Sequence, residues 1–355
     1  MLATVATATL ITLFIKLKPS GQKDHSKEQI EILPVTSGIE SESSDIKVIW
    51  SADFQNQEVG IFDYKDILKE FGSSGKYPGR GFAGVGFFLK SHPEMKNDQN
   101  ITIEEEDGNK FARNWFKAGQ FGIVMPQRPE GSGHMYHPEI PGNHEELWIS
   151  HNIRWPADKD WALTGKIGFG VTGGVSPGGC NPYQTKKHNG FIINLMWSKA
   201  QEMKFYMYWS GKNDSIYPCG LSGPFKWNDP NKSGKKIILT DYADEWHNIA
   251  LRVVMNDRYT PGEANGMVEA FWDGMLAFRI DTLRLRTQPG VYIDHARSYY
   301  NHGGNDHRFA PERDTYYDCD DVWTWTWKEG SGLPTGFTPW NRDEIVPLPN
   351  FPKKD

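Results

Sequence analysis

The chain has 355 residues, 38% of them hydrophobic and 13% aromatic, so it can bury a large core as one big β domain or two smaller ones. Its 39 basic and 45 acidic residues leave a net charge of −6, which argues against general nucleic-acid or anionic-membrane binding. An acidic ligand would therefore need a local basic patch.

Residues 1–15, "MLATVATATLITLFI", are apolar and uncharged, and Lys16 and Lys18 follow. Residues 1–20 are expected to be a secretory signal peptide or, failing cleavage, a signal anchor; fifteen apolar residues fall short of the roughly 20 that a spanning helix needs. The expected location is extracellular, with membrane association only through an uncleaved anchor. Residues 21–45 are polar and lack an apolar period, which predicts a disordered linker. Asn100, Asn213 and Asn231 head sequons that would accept glycans on a eukaryotic secretory route.

From Ile46 the pattern changes. "IKVIWSADF" begins a strand, and "IFDYKDILKEFG" predicts a short helix ending at Gly72. Short alternating or aromatic runs then follow, at 146–155, 190–197, 203–209, 247–255, 266–280 and 315–327. Asp273-Gly274 splits the fifth run, a strong hairpin signal. Many strands with almost no helical period predict an all-β fold, an antiparallel two-sheet β-jelly roll sandwich over residues 46–328. A Pro-rich tail follows at 329–355.

Cys180, Cys219 and Cys319 are odd in number and fit no zinc spacing. Cys180 and Cys219 lie in Gly/Pro-rich loops, where a disulfide is compatible with an oxidising compartment. Cys319 lies in a strand pattern and reads as a buried thiol.

Several residues could carry chemistry. In "KFYMYW", residues 204–209, Tyr206 and Tyr208 share one strand face while Phe205, Met207 and Trp209 take the other. Same-face tyrosines also serve packing, so the pair signifies a site only if polar and basic groups converge on it. Lys166, in "TGKIGFG", is flanked by glycines at a strand end; Lys186, Lys187 and His188 precede the 190–197 strand. Arg284 and Arg286 in "RLRT" read as one strand face, and His302 sits beside two glycines in "YYNHGGNDHRFAP". Each of these is also ordinary as a solvated or backbone-binding group. Asp318 and Asp320 share a strand face but Asp321 does not, which argues against a calcium site, and no metal or organic cofactor is expected.

The ordered set "HNIRWPADKDWALTGKIGFG", "GFIINLMW", "KFYMYW", "FWDGMLAFRIDTLRLRT" and "NHGGNDHRFAPERDTYYDCDDV" resembles polysaccharide lyase family 14, the alginate and glucuronan lyases with a β-jelly roll, over roughly residues 145–325. The resemblance implies a secreted lyase that cleaves an acidic, uronate-containing polysaccharide by β-elimination. Lys166 would neutralise the carboxylate, and Tyr206 or Tyr208, its pKa lowered by nearby cations, would serve as base and acid. The chain departs from the family's "GFSxRxMW" by reading "GFIINLMW", with Ile192 for serine and Asn194 for arginine. Asn194 can still hydrogen-bond a carboxylate, and Arg284, Arg286 or Lys187 would have to supply the missing charge. The alternative is a lyase-like protein that binds glycans with little or no turnover. A third reading, a glycoside hydrolase, would need a carboxylate pair drawn from Glu202, Glu269 and Asp273.

Overall fold

The computed structural model describes residues 46–71, 100–123, 131, 133–175, 189–210, 235–304 and 306–327. The apolar N-terminal run, the linker and the tail lie outside these residues, as do Lys187, His188, Cys180, Cys219, Asn213 and Asn231. No helix among the described residues is long and apolar enough to cross a membrane.

Two antiparallel sheets carry the described structure, as the alternating runs predict. In chain order the strands are β1 (Ile46–Ala52), β2 (Gly60–Ile61), β3 (Ile101–Glu106), β4 (Asn109–Phe116), β5 (His134–Tyr136), β6 (Glu139–His144), β7 (Glu146–Arg154) and β8 (Gly165–Lys166). They continue with β9 (Phe169–Gly174), β10 (Gly190–Trp197), β11 (Met203–Trp209), β12 (His247–Val254), β13 (Gly266–Trp272), β14 (Met275–Leu283), β15 (Ile293–His302) and β16 (Thr315–Trp327). The larger sheet runs β14-β13-β12-β7-β16-β4-β3-β2, with β1 also on β16. The smaller runs β11-β10-β8-β15-β5; β9 continues the lane of β8 between β10 and β15, and β6 pairs with β15.

The helix α1 (Tyr64–Phe71) forms where "DYKD" builds a reciprocal cap: Asp66 N donates to Asp63 Oδ1 at 3.1 Å and Asp63 N donates to Asp66 Oδ2 at 3.4 Å. It delivers Phe71 onto the rings of Tyr136 and Phe169. The Asp273-Gly274 turn closes the β13–β14 hairpin with both residues at positive φ, 49° and 79°, the geometry that Asp-Gly turns favour.

Between the sheets, alternate residues of each strand interdigitate. Phe191, Ile193, Leu195 and Trp197 of β10 and Phe205, Met207 and Trp209 of β11 meet Ile149, Leu251, Val268 and Trp272 of the larger sheet in one cluster. The burial of β11 alternates strictly, so Tyr206 and Tyr208 face away from this core. Cys319 is a buried free thiol in β16. Asn100 is 4% exposed, so its sequon does not offer the amide to a glycosyltransferase in the folded protein.

Candidate active site

The outward face of the smaller sheet assembles three rows of side chains, because residues directly opposite in antiparallel strands share a face. The first row is Lys204, Met196, Lys166 and Asn301, on β11, β10, β8 and β15. In the second, Tyr206 pairs with Asn194, and Arg297 pairs with Gly170 in the lane next to Asn194. The third is Tyr208, Ile192, Thr172 and His295. Lys166, Asn194, Tyr206 and Tyr208 are thus brought onto one surface, and Ile192 lies directly opposite Tyr208.

Lys166 is only 9% exposed, with its Nζ 4.7 Å from the ring centroid of Tyr206 and 5.8 Å from that of Tyr299. Burial, and secondarily the charge of Arg297, pulls its pKa down to about 8. The Tyr206 and Tyr208 hydroxyls hydrogen-bond to each other, and their rings meet edge to face at 4.9 Å. Burial and the bond to Tyr206 push the Tyr208 phenol well above its ordinary range. This corrects the expectation of a phenol lowered by cations: Arg297 does pull Tyr208 down, but burial outweighs it. Tyr208 is therefore held as a proton donor.

Asn194 is 2% exposed and donates to Tyr206 O at 3.4 Å, while its Oδ1 accepts from Arg297 Nε at 2.6 Å. Arg297 Nη1 donates to His137 Nε2 at 2.6 Å, and Nη2 lies 2.8 Å from Met135 Sδ. The Arg297 guanidinium carbon stands 4.9 Å from the Tyr299 ring centroid.

Three expected site residues lie elsewhere. β14 ends at Leu283, with Thr282 at φ 65°, so Arg284 and Arg286 are not on a strand. Arg284 donates to Tyr259 O at 3.0 Å, and Arg286 is 3% exposed, clamped by Glu145 at 2.6 and 3.0 Å. His302 is fully buried on the core face of β15 between the rings of Phe116 and Trp197, at 4.7 and 5.1 Å. Burial and the charge of Lys159 hold its pKa well below the usual histidine range. Among the described residues, the arginine on the site face is Arg297, which the sequence reading missed: it lies in "IDHARSYYNH", a strand buried on both faces and lacking a polar period.

The aspartates of β16 are engaged by side chains. Asp318 takes Arg113 at 2.7 Å and Arg154 at 3.0 Å, Asp320 accepts from Asn109 at 2.8 Å, and Asp321 accepts from Asn152 at 2.9 Å. The carboxylates considered for a hydrolase do not converge. Glu269 belongs to the larger sheet and binds Arg252 and Arg279; Asp273 binds His247 in the β13–β14 turn; Glu202 pairs with Lys204 and Lys236 beside β11.

No curated protein matches the chain. Among solved structures, the fold is similar to alginate lyase Aly36B, with a TM-score of 0.54 and 16% identity over 78% of this chain and 95% of that one. A mutant of that lyase in complex with alginate trisaccharide aligns at TM-score 0.55, with 15% identity over 79% of this chain and 98% of that one. The marine PL-14 alginate lyase from Aplysia kurodai aligns at 0.53, with 17% identity over 78% of this chain and 98% of that one. The family model Polysaccharide lyase 14 matches residues 105–322, more than half of the sequence, and the chain belongs to that family.

Proposed function

We propose that this polysaccharide lyase cleaves a uronate-containing polymer of the alginate or glucuronan type by β-elimination, and that it acts outside the cell. The observation that carries the reading is the placement of the nearly buried Lys166 ammonium 4.7 Å from the ring of Tyr206, whose hydroxyl is bonded to that of Tyr208. Solved structures of similar fold include alginate lyases, which accords with an acidic substrate. The apolar residues 1–15 support the extracellular assignment.

β-Elimination removes the proton on C5 of a uronate, forms the C4–C5 double bond and breaks the C4–O4 bond, whose oxygen then takes up a proton. The carboxylate on C5 gains negative charge in the transition state and must be neutralised. Lys166 supplies positive charge at low exposure, where electrostatic attraction is little screened. Tyr208 keeps its proton and donates it to the leaving oxygen. Tyr206, facing Lys166 and hydrogen-bonded to Tyr208, serves as the base that takes the C5 proton.

The second reading, glycan binding with little turnover, is favoured by Ile192, an aliphatic side chain 8% exposed directly opposite Tyr208. One experiment separates the two. The full chain is incubated with polymannuronate, polyguluronate and glucuronan while absorbance near about 235 nm, expected of a conjugated unsaturated uronate, is followed. Product growth that is lost in Lys166→Ala supports the lyase. A flat trace on every polymer from folded protein that binds one of them supports the second reading.

A further inference from the structure

Across the middle of the site face a guanidinium crosses one whole strand lane. Arg297 springs from β15, yet its Nε lies 2.6 Å from Oδ1 of Asn194 on β10, and the lane between them contributes Gly170. A Cβ on Gly170 would sit 1.9 Å from Ile193 O, a collision with backbone that cannot be relieved by rotating a side chain. The absence of a side chain there lets the arginine lie across to Asn194, in the row that holds Tyr206.

We propose that Arg297 is the cation that binds the uronate carboxylate beside Lys166, bringing from β15 the charge that β10 lacks at Asn194. The inference rests on the lyase reading of the same site.

Three contacts of different direction set the plane of the guanidinium: Asn194 Oδ1, His137 Nε2 and Met135 Sδ. Because Arg297 is the donor to His137 Nε2, that imidazole is neutral with its proton on Nδ1, and burial and the neighbouring arginine keep it so. Tyr299, against which Arg297 stacks, is also held neutral, its phenol pushed up by burial. These contacts orient the guanidinium. Arg297 and Lys166 both approach the Tyr299 ring, at 4.9 and 5.8 Å, and the charge of Arg297 is felt at Lys166. A planar fork held in place binds a carboxylate with geometric precision, and a lysine adds a point charge beside it. Preorganised cations of this kind stabilise the extra charge that forms on the carboxylate as the C5 proton leaves.

The test uses the full chain, its Arg297→Gln and Arg297→Ala variants, and the double variant Asn194→Arg/Arg297→Ala. Turnover of polymannuronate, polyguluronate and glucuronan is read near about 235 nm. Binding of an alginate trisaccharide is compared with that of the same trisaccharide carrying reduced carboxyl groups, and thermal unfolding identifies the variants that fold. The expected result is a loss of about 10²–10³-fold in kcat for Arg297→Gln, with part of the loss in Arg297→Ala restored by arginine at position 194. Preference for the charged trisaccharide should fall at least about tenfold in Arg297→Gln. Wild-type kcat and an unchanged charge preference in that variant would overturn the proposal while leaving the lyase reading intact. A wild-type protein that makes no product, yet loses its charge preference in Arg297→Gln, would overturn the lyase reading and keep Arg297 as the carboxylate anchor.

Discussion

The outward faces of the two sheets both carry arginines, and they treat them differently. On the larger sheet, Asp318 binds Arg113 and Arg154, and Glu269 binds Arg252 and Arg279, each carboxylate 1% exposed in its side chain. On the smaller sheet, the named contacts of Lys166 and Arg297 are tyrosine rings, an amide, an imidazole and a thioether. A cation closed by a buried carboxylate ties strands together and attracts little else. Lys166 and Arg297 stand together on the second face at low exposure, the charge of one acting on the other, so that face suits an anionic chain even though the protein as a whole is acidic.

The comparison breaks most visibly at Asp318. Asp318→Ala removes the buried carboxylate that Arg113 and Arg154 share and should cost about 3–5 kcal/mol in denaturant unfolding, with turnover per folded molecule unchanged. On the other face, Lys166→Ala should lower kcat by about 10²–10³-fold with unfolding nearly unaffected, measured by product absorbance and by denaturant titration. If both variants were to lose stability alike, the two faces would not differ in kind.

The pH profile sharpens the contrast. The cationic form of Lys166 attracts the carboxylate, and its value in the free protein is about 8, so kcat/KM should fall about tenfold per pH unit above that point. Bound carboxylate favours the ammonium, so the alkaline limb of kcat should lie at higher pH than that of kcat/KM. The groups that face Lys166 are Arg297 and the rings of Tyr206 and Tyr299, and removing the first should move the kcat/KM limb upward. Ile192→Ser places a hydroxyl opposite Tyr208 and should change kcat/KM by no more than about tenfold, the worth of one ordinary hydrogen bond. Arg284→Ala, whose named bond is to Tyr259 O, should leave kcat/KM at the wild-type value.

What could be read from the sequence follows from how local its signals are. β10, β12 and the β13–β14 hairpin are written in short apolar runs and one Asp-Gly turn, and β11 in alternation, so their strands and the outward direction of Tyr206 and Tyr208 were accessible. Lys166 stood out through its glycines and through the family resemblance. Arg284 and Arg286 misled because alternation continued in the sequence past Leu283, where the strand ends just after Thr282, whose positive φ turns the chain. His302 looked polar but packs among aromatic rings. Arg297 was invisible for a different reason. Its partner Asn194 is 103 positions away, and only the pairing of β10 and β15 with one lane between them makes the two neighbours.

The bare lane at Gly170 also sets a rule for anyone recombining this scaffold. Charge and address are stored on separate strands, Arg297 on β15 and Asn194 on β10, and the route between them is a missing side chain on β9. A chimera that imports β10 alone receives an amide with no guanidinium to orient, whereas one that imports β15 over a bulkier lane receives a guanidinium with no path. The three strands are heritable only as a set, and a swap library built strand by strand should yield folded chains in which the electrostatic centre is absent.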